Sequence, residues 1–278
     1  MQPIYNYNSN SMPQELVSVI MPTYNASRFL AESITCVLNQ TYGNIELLIT
    51  DDHSTEKHTQ ELLDQFSQRD KRVKVMRLDI NRGAGYARNE SIKRAQGRYI
   101  AFCDSDDRWM TDKLERQIAF MNEHHCALCY GSYIMCDDNN EERGIVIAPS
   151  KMTFNKLKRD NKIGCLTAIY DTHLTHKKYY MPELRKRQDW ALFLTILKDN
   201  CLAYGLKEPL AYYRIREKSV SSKKTALVKY NIKVYQQVLG YSKVKSNLYF
   251  AFIFLPTHFM KLAKRHIDSF FYLRRKKI

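Results

Sequence analysis

The segment from Leu16 to Asn25 reads LVSVIMPTYN, an apolar, β-branched run that stops at a turn containing Pro22. A run of this kind, without polar alternation, is typical of a strand buried on both faces of a parallel sheet. Similar short runs recur at residues 45–50, 73–78 and 99–103. Helical patterns with one apolar face separate them. Four alternations in about a hundred residues predict an α/β fold with a doubly wound, mostly parallel, Rossmann-like sheet.

Polar side chains follow three of these predicted strands at the point where each strand ends. They are Thr23-Tyr24-Asn25, Asp51-Asp52 and Asp104-Ser105-Asp106-Asp107. Because ligands of doubly wound sheets bind beyond the carboxyl ends of the strands, these clusters predict one site at that edge. Hard divalent cations favour carboxylate and phosphate oxygens, so Asp104 and Asp106 are candidate metal ligands. The alternative for this DxD pattern is the acidic first turn of a helix.

The second half of the chain is less regular. Further strands are predicted at residues 127–136, 144–147 and 165–170, and several short ones within 202–214. Helices are predicted at residues 188–198 and 223–239. Earlier in the chain, Gly97 is expected to cap the helix of residues 85–95.

The formal net charge of +15 is concentrated near the C-terminal end. Residues 223–278 contain thirteen Lys or Arg and one acid, Asp268, and carry +12, which leaves +3 for the first 222 residues. A segment this basic indicates a polyanionic partner. Aromatic residues alternate with the basic ones, but the longest apolar run, Leu248 to Leu255, is shorter than the roughly 20 residues that a bilayer span needs.

This composition predicts an interfacial anchor on an anionic membrane surface. The alternative is a pair of C-terminal helices that pack on the core. Nothing in the sequence resembles a nucleic-acid-binding module, so no nucleic-acid partner is expected. The polar leader, residues 1–15, is expected to be flexible and lacks the pattern of a signal peptide. We therefore expect a cytoplasmic catalytic portion, peripheral on the inner face of the cell membrane.

Five motifs occur in order: VSVIMPTYN, LNQTY, IELLITDDHS, NRGAGYARN and RYIAFCDSDD. Together they resemble the inverting family-2 glycosyltransferases of the GT-A fold, including those that build bacterial surface polysaccharides. The resemblance is close from Leu16 to Asn122 and looser as far as Ser221. It implies transfer of a sugar from a nucleotide diphosphate sugar, typically a UDP-sugar, to an acceptor hydroxyl. It also implies a divalent cation, Mg²⁺ or Mn²⁺, and a glycan acceptor that is usually lipid-linked.

The resemblance also implies a set of donor-site residues. They are Pro22, Thr23, Tyr24, Asp51, Asp52, Arg88, Asp104 and Ser105. The first three resemble the lining of the nucleoside pocket, and Asp52 resembles the residue that bonds the base, with Asp51 supporting or sharing that contact. Arg88 resembles a basic residue near the nucleotide. Asp104 resembles the ribose-facing carboxylate and Asp106 the metal ligand. His53 stands where many relatives have Gly.

The candidate general base lies in the second half. Gln188-Asp189-Trp190 resembles the family's ED or QD motif, in which the aspartate deprotonates the acceptor hydroxyl. The alternative for Asp189 is a helix cap or an ion-pair partner of the preceding basic residues, 185–187. Further on, Tyr213-Arg214 with Ser219-Val220-Ser221 resembles a basic loop that closes over the diphosphate, with Arg216 in place of the usual His.

These patterns divide the chain into four parts. We expect a leader at residues 1–15, a nucleotide-sugar-binding half at 16–125, an acceptor-binding half at 126–222 and a basic helical extension at 223–278. The predicted function is glycosyl transfer with inversion. Two alternatives stay open: a sugar-nucleotide pyrophosphorylase, which needs a Gly-rich basic loop after the first strand, and a non-catalytic basic protein that binds a membrane or a polyanion.

Overall fold

A computed structural model describes residues 14–200, 202–216 and 224–276, and it contains a ten-stranded mixed sheet with helices on both faces. The strands are β1 (Val17–Thr23), β2 (Ile45–Asp51), β3 (Val73–Arg77), β4 (Tyr99–Phe102), β5 (Arg108–Trp109), β6 (Leu128–Cys136), β7 (Glu142–Val146), β8 (Lys151–Thr153), β9 (Ile169–Asp171) and β10 (Leu202–Arg214). The helices are α1 (Ser27–Leu38), α2 (Lys57–Arg69), α3 (Ala84–Arg94), α4 (Lys113–His124), α5 (Phe154–Leu157), α6 (Thr172–Thr175), α7 (Gln188–Asn200), α8 (Lys224–Gln237), α9 (Lys243–Tyr249) and α10 (Leu255–Arg275).

The strand order is β3-β2-β1-β4-β9-β6-β10-β5, with β7 beside β6 and β8 beside β10. The first four strands are parallel, and Val17 of β1 lies opposite Ile45 of β2 and Tyr99 of β4. Beyond β4 the sheet is mixed, since β9 is antiparallel to both of its neighbours whereas β6 and β10 are parallel. The predicted α/β, doubly wound fold is confirmed, and its parallel part is the N-terminal half.

Both faces of the central strands are buried, as the unbroken apolar runs predict. Val19 and Met21 of β1 lie in one core cluster with apolar residues of α1, α2 and α4. Ile20 lies in the second cluster, with residues of α3 and α7. Adjacent side chains of a strand point to opposite faces, so this division fixes the register of β1 between two helical layers.

Three local predictions were wrong. The strand expected at residues 165–170 begins only at Ile169, because residues 165–167 form a 3₁₀ turn in which the Thr167 N–H donates to the Gly164 carbonyl. Residues 202–214 form one strand instead of several, because β10 stays paired with β6 through register shifts on either side of Pro209. Gly97 does not cap α3, which ends at Arg94. The reason for glycine at 97 is close packing, since a Cβ there would lie 2.6 Å from the backbone oxygen of Leu16.

The C-terminal extension is helical, as predicted, and one of its faces packs on the rest of the chain. A π-helical turn, Phe250–Phe254, joins α9 to α10. Buried Tyr235 of α8 and buried Phe254 belong to the same core cluster as α7. Within the described ranges, no helix has both the length and the apolar character that a membrane span requires.

Candidate functional site

The loops after β1 and β2 are tied together at the carboxyl edge of the sheet. The Asn25 side chain accepts hydrogen bonds from the backbone N–H groups of Thr55 (2.9 Å) and Glu56 (3.0 Å). Asn25 and His53 both have positive φ, 45° and 64°. Glycine adopts a left-handed backbone without steric cost, whereas His53 adopts it here with a side chain. Strained backbone of this kind is common where loops are held for function.

The two aspartates of the DDHS motif organise different loops. Asp51 Oδ1 accepts hydrogen bonds from the backbone N–H and the hydroxyl of Ser54. Asp52 accepts the backbone N–H groups of Arg82 and Gly83, one on each carboxylate oxygen and both at 2.7 Å. The Asp51 and Asp52 side chains are both buried within these loops. Their hydrogen bonds therefore fix the opening that the loops form in front of α3.

The PTY segment forms the opposite side of this opening. Pro22 and Thr23 are buried at the end of β1, and the Thr23 carbonyl accepts the N–H of Asp52 at 2.8 Å. The Thr23 hydroxyl is buried without a hydrogen-bond partner among the described residues. Tyr24 is half exposed, which leaves its ring accessible to a ligand. An unpartnered hydroxyl beside an accessible aromatic ring fits a pocket for a polar, planar group.

Arg88 of the ARN motif forms a buried ion pair with the first aspartate of DSDD. Its Nη2 donates to Asp104 Oδ1, and its Nε is buried without a hydrogen-bond partner among the described residues. Burial lowers the pKa of the guanidinium, but Asp104, with Cys165 and Asp189 beyond it, outweighs burial and raises the pKa. Arg88 is therefore a fixed positive charge among the predicted site residues of both halves.

The remaining carboxylates of DSDD lie close together and repel one another. Burial and the charge of Asp104 raise the pKa of Asp106, although Arg216, whose Nη1 lies 3.3 Å from Asp106 Oδ2, opposes the shift. Burial and the charges of Asp106 and Asp104 also raise the pKa of Asp107. Ser105 lies half-buried between Asp104 and Asp106.

Arg214 supports the acidic turn that contains Asp106 and Asp107. It is buried, its Nε donates to the Asp106 carbonyl (3.0 Å), and its backbone N–H donates to Asp107 Oδ1 (3.2 Å). Its other nitrogens reach Glu32 Oε2 and Asn140 Oδ1. Arg214 thus supports the backbone of the turn. The neighbouring Arg216 contacts the partly exposed carboxylate of Asp106. Ser219, Val220 and Ser221, predicted to belong to the same loop, lie outside the described residues.

The donor set fits a divalent cation that also has ligands from a diphosphate. Burial and neighbouring negative charge raise the pKa values of Asp106 and Asp107, and a cation relieves an electrostatic environment of this kind. No group of three or more His, Cys, Asp or Glu side chains among the described residues is arranged to hold a metal by itself. Any cation here would therefore need Asp106, Asp104 and oxygens of the bound substrate together.

Asp189 lies in the first turn of α7, next to the α3 side of the site. Its Oδ2 accepts a hydrogen bond from Asn161 Nδ2 at 3.2 Å. Arg187, the residue directly before α7, has a positive φ of 67°. Buried Gln188 packs so closely on Gly85 that a Cβ on that glycine would lie 2.9 Å from the Gln188 Cγ.

The ARN motif joins the two halves at this point. Asn89 donates its side-chain N–H to the Met181 carbonyl (2.9 Å) and accepts the Met181 N–H (2.8 Å). This pair holds the segment before α7 against α3. Predicted residues of both halves, Arg88 and Asp104 on one side and Asp189 on the other, are thereby brought near one another.

Residues 18–181 match glycosyl transferase family 2. The chain belongs to this family. A protein of Bacillus subtilis (strain 168) named for teichuronic acid biosynthesis, TuaG, is 41% identical over 80% of this chain and 88% of its own length. The Escherichia coli protein WfgD, a UDP-Glc:alpha-D-GlcNAc-diphosphoundecaprenol beta-1,3-glucosyltransferase, is 42% identical over 77% of this chain and 82% of its own.

Solved structures agree on the fold. TarS residues 1–349 of S. aureus in complex with UDP-GlcNAc has a TM-score of 0.66 at 24% identity, covering 88% of this chain and 72% of that one. The mannosyltransferase PcManGT of Pyrobaculum calidifontis, in complex with GDP-Man and Mn²⁺, has a TM-score of 0.63 at 14% identity, covering 93% and 77%. These structures confirm the GT-A fold. The family match and the relatives confirm the glycosyltransferase class, and they favour neither a pyrophosphorylase nor a non-catalytic protein.

Two site neighbours carry no motif in the sequence. Asn161 contacts Asp189 from a loop with no recognisable pattern, and Glu32 pairs with Arg214 across 182 residues. Only the three-dimensional arrangement identifies them, because neither spacing nor residue type is unusual. Sequence motifs alone, by contrast, predict the site residues Asp52, Arg88, Asp104 and Asp189.

Proposed function

We propose that this glycosyltransferase moves a sugar from a UDP-sugar to a hydroxyl of a lipid-linked glycan, with inversion and with a divalent cation, in the assembly of a bacterial surface polysaccharide. The observation that carries the proposal is the gathering of Asp52, Arg88, Asp104, Asp106 and Asp189 around one edge of the sheet.

The donor pocket suits a nucleoside. Asp52 keeps lone pairs free after binding two backbone N–H groups, so it can still accept an N–H from a pyrimidine base. Tyr24 offers an accessible ring at the rim, and the partly exposed Asp104 carboxylate would accept a ribose hydroxyl. The name of WfgD specifies UDP-Glc, and TarS was crystallised with UDP-GlcNAc, which supports UDP as the nucleotide here.

The acidic turn suits the departing diphosphate. Asp106 and Asp104 would hold a divalent cation, Mg²⁺ or Mn²⁺, which neutralises the charge that develops on the leaving group. Arg216 already neighbours Asp106 and can turn to a phosphate oxygen once a cation replaces it there. Mn²⁺ accompanies GDP-Man in PcManGT, which supports a metal in this fold.

Asp189 suits the role of general base. A single displacement at the anomeric carbon inverts configuration and needs one base at the acceptor hydroxyl, with no covalent intermediate. Asp189 lies in the second half, near Arg88 and Asp104, where the acceptor would approach the donor sugar.

The surface of α10 favours a membrane. Its polar side faces the protein: Ser269 bonds the backbone of Ile145, and Tyr272 and Lys276 bond Glu142. Its apolar side faces outward, and spacings of 7, 8 and 11 residues keep those side chains on one stripe. The exposed large apolar side chains of α9, the π-helical turn and α10 are Val244, Leu248, Phe252, Ile253, Phe259, Met260, Ile267, Phe270 and Phe271.

A helix that turns its aromatic side away from the core requires another apolar environment. The surrounding charge indicates that this apolar environment is an anionic membrane. Residues 223–278 carry +12, and an anionic lipid surface attracts each Lys or Arg by about 1 kcal/mol. The lipid-linked acceptor in the name of WfgD is consistent with an enzyme at such a surface. We therefore assign the outer face of α9 and α10 to the inner leaflet of the cell membrane.

The donor assignment is tested by nucleotide release. The full chain, Mn²⁺ and an alkyl-diphospho-GlcNAc acceptor are mixed in turn with UDP-glucose, UDP-GlcNAc, GDP-mannose and dTDP-rhamnose, and the free nucleoside diphosphate is measured. We expect acceptor-dependent release of UDP from a UDP-sugar and background release from the others. Release of GDP or dTDP in preference to UDP would contradict the donor assignment.

A further inference from the structure

The segment that carries Asp189 rests on the C-terminal helices. Trp190, the next residue, is fully buried, and its ring packs against Tyr235 of α8 (ring centroids 5.6 Å apart) and Phe254 (5.7 Å). Its indole N–H donates to the Leu157 carbonyl at 2.9 Å. Since the tryptophan is held on three sides, the backbone at Asp189 is held with it.

A buried carboxylate attaches α10 beside this segment. The Asp160 side chain has no exposed surface, and its Oδ2 lies 2.6 Å from Lys261 Nζ and 3.3 Å from His258 Nδ1. Burial favours the neutral acid, but the hydrogen bond with His258 and the charge of Lys261 outweigh it and lower the pKa of Asp160. An ionised, buried carboxylate depends on its partners, so α10 is fixed at this point.

Asn161 connects Lys261 of α10 to the candidate base, Asp189. Lys261 Nζ also donates to the Asn161 carbonyl at 2.8 Å, and Asn161 Oδ1 accepts the backbone N–H of Ile163 at 3.1 Å. With its backbone and its amide oxygen both held, the Asn161 side chain directs its NH₂ group at Asp189 Oδ2, 3.2 Å away. A continuous set of contacts therefore leads from α10 to Asp189.

We propose that Asn161, held by Lys261, is a positioning residue that orients the Asp189 carboxylate toward the acceptor hydroxyl. This inference rests on the proposed role of Asp189 as general base. A base works only when it lies within hydrogen-bond reach of the proton that it removes. The hydrogen bond from Asn161 restricts rotation of the carboxylate, and Lys261 prevents Asn161 from moving. The C-terminal helices thus complete the catalytic site as well as presenting a surface outward.

The test compares Asn161→Ala and Lys261→Met in the full chain with matched controls. Asn200→Ala removes an amide that bonds Tyr179 and Ile196 at the other end of α7, and Lys177→Met removes a surface Lys–Asp pair. With the donor and acceptor that the wild type turns over, kcat should fall about 10- to 100-fold in both test variants, while the donor KM changes less than about twofold. The controls should keep the wild-type kcat.

Two further measurements separate positioning from a general loss of structure. Lys261→Arg retains the cation opposite Asp160 and should recover most of kcat. Asn161→Ala should cause no additional loss when Asp189 is already Asn, because the two residues act through one carboxylate. An unchanged kcat in Asn161→Ala, or a full additional loss in the Asp189→Asn background, would overturn the inference. If Asp189→Asn itself turns over normally, the proposed base is wrong and this inference falls with it.

Discussion

Asp106 is the residue whose role depends most on what binds beside it. Its carboxylate contacts Arg216 and is repelled by Asp104. A divalent cation would take the place of the Arg216 contact and bring phosphate oxygens with it. The proposed function therefore requires a cation and a diphosphate to bind together at Asp106.

We predict that EDTA abolishes transfer by the wild type, that Mn²⁺ or Mg²⁺ restores it, and that Asp106→Asn lowers the rate by at least about 100-fold. The measurement is UDP release at saturating donor, together with Mn²⁺ binding followed by electron paramagnetic resonance. Asp112→Asn, which removes a half-exposed partner of Arg116, is the control and should behave as the wild type. Full turnover by Asp106→Asn in the presence of metal would refute the assignment.

Lys113 is a buried lysine that the catalytic argument does not use. Its ammonium lies 3.9 Å from the centre of the Trp109 ring and 2.7 Å from Gln117 Oε1, with no exposed surface. Burial lowers the pKa of Lys113 to about 7. In the unfolded chain its pKa is about 10.4, so the unfolded state binds more protons between those values. The contribution of Lys113 to the free energy of unfolding must then rise with pH from about 7 to about 10.

Lys113→Met should accordingly stabilise the protein most at pH 7 and below, with the gain shrinking toward pH 10. Urea unfolding of both proteins at several pH values gives the difference, in which the contributions of shared Tyr and Cys side chains cancel. Lys57→Met, at a lysine that is almost fully exposed, should show no such trend. A Lys113→Met difference that is constant with pH would contradict the buried charge.

At the scale of elements, the strands of the first half were predictable because each one is defined by its own local sequence. Every motif of the donor side lies within a single strand end, loop or helix start, so residues near in sequence are also near in space. The orientation of α10 was not predictable in this way. Its inward contacts, such as Lys261 with Asp160 and Ser269 with Ile145, join residues about a hundred or more positions apart and leave no local pattern.

Outward-facing aromatics on α10 predict binding to lipid. The wild type should co-sediment with phosphatidylglycerol vesicles, less with phosphatidylcholine vesicles and less at high salt. Phe259→Ser with Phe270→Ser should weaken vesicle binding by at least about tenfold, because each exposed ring contributes an apolar term. Ile80→Ser, at another exposed apolar residue outside the C-terminal helices, is the control.

Point substitutions are preferable to removal of the helices, since Tyr235 and Phe254 cover Trp190 and their loss would expose the core. Sedimentation velocity distinguishes the other possible occupant of this face. A chain that ignores vesicles and forms dimers that the double substitution disrupts would show that a second copy, and not a membrane, covers the aromatic stripe.

At the scale of the whole molecule, the donor side, the candidate base and the C-terminal helices are one connected structure. Asn89 joins α3 to the segment before α7, and Asn161 joins Asp189 to α10. The sequence motifs predicted which residues form the site, because the chemistry of a diphosphate leaving group selects recognisable residue types. They could not predict these supports, which consist of ordinary asparagines whose partners lie far along the chain.

The central claim is that donor binding and proton removal are performed by different parts of this connected site. The most direct test is Asp189→Asn, with kcat measured by UDP release and UDP affinity measured by calorimetry in the presence of Mn²⁺. Removing a positioned base should lower kcat by about 10²- to 10⁴-fold. UDP affinity should stay within about twofold of the wild type, because the donor pocket is built from the first half. A folded Asp189→Asn variant that keeps its turnover, or that loses UDP affinity, would contradict the account.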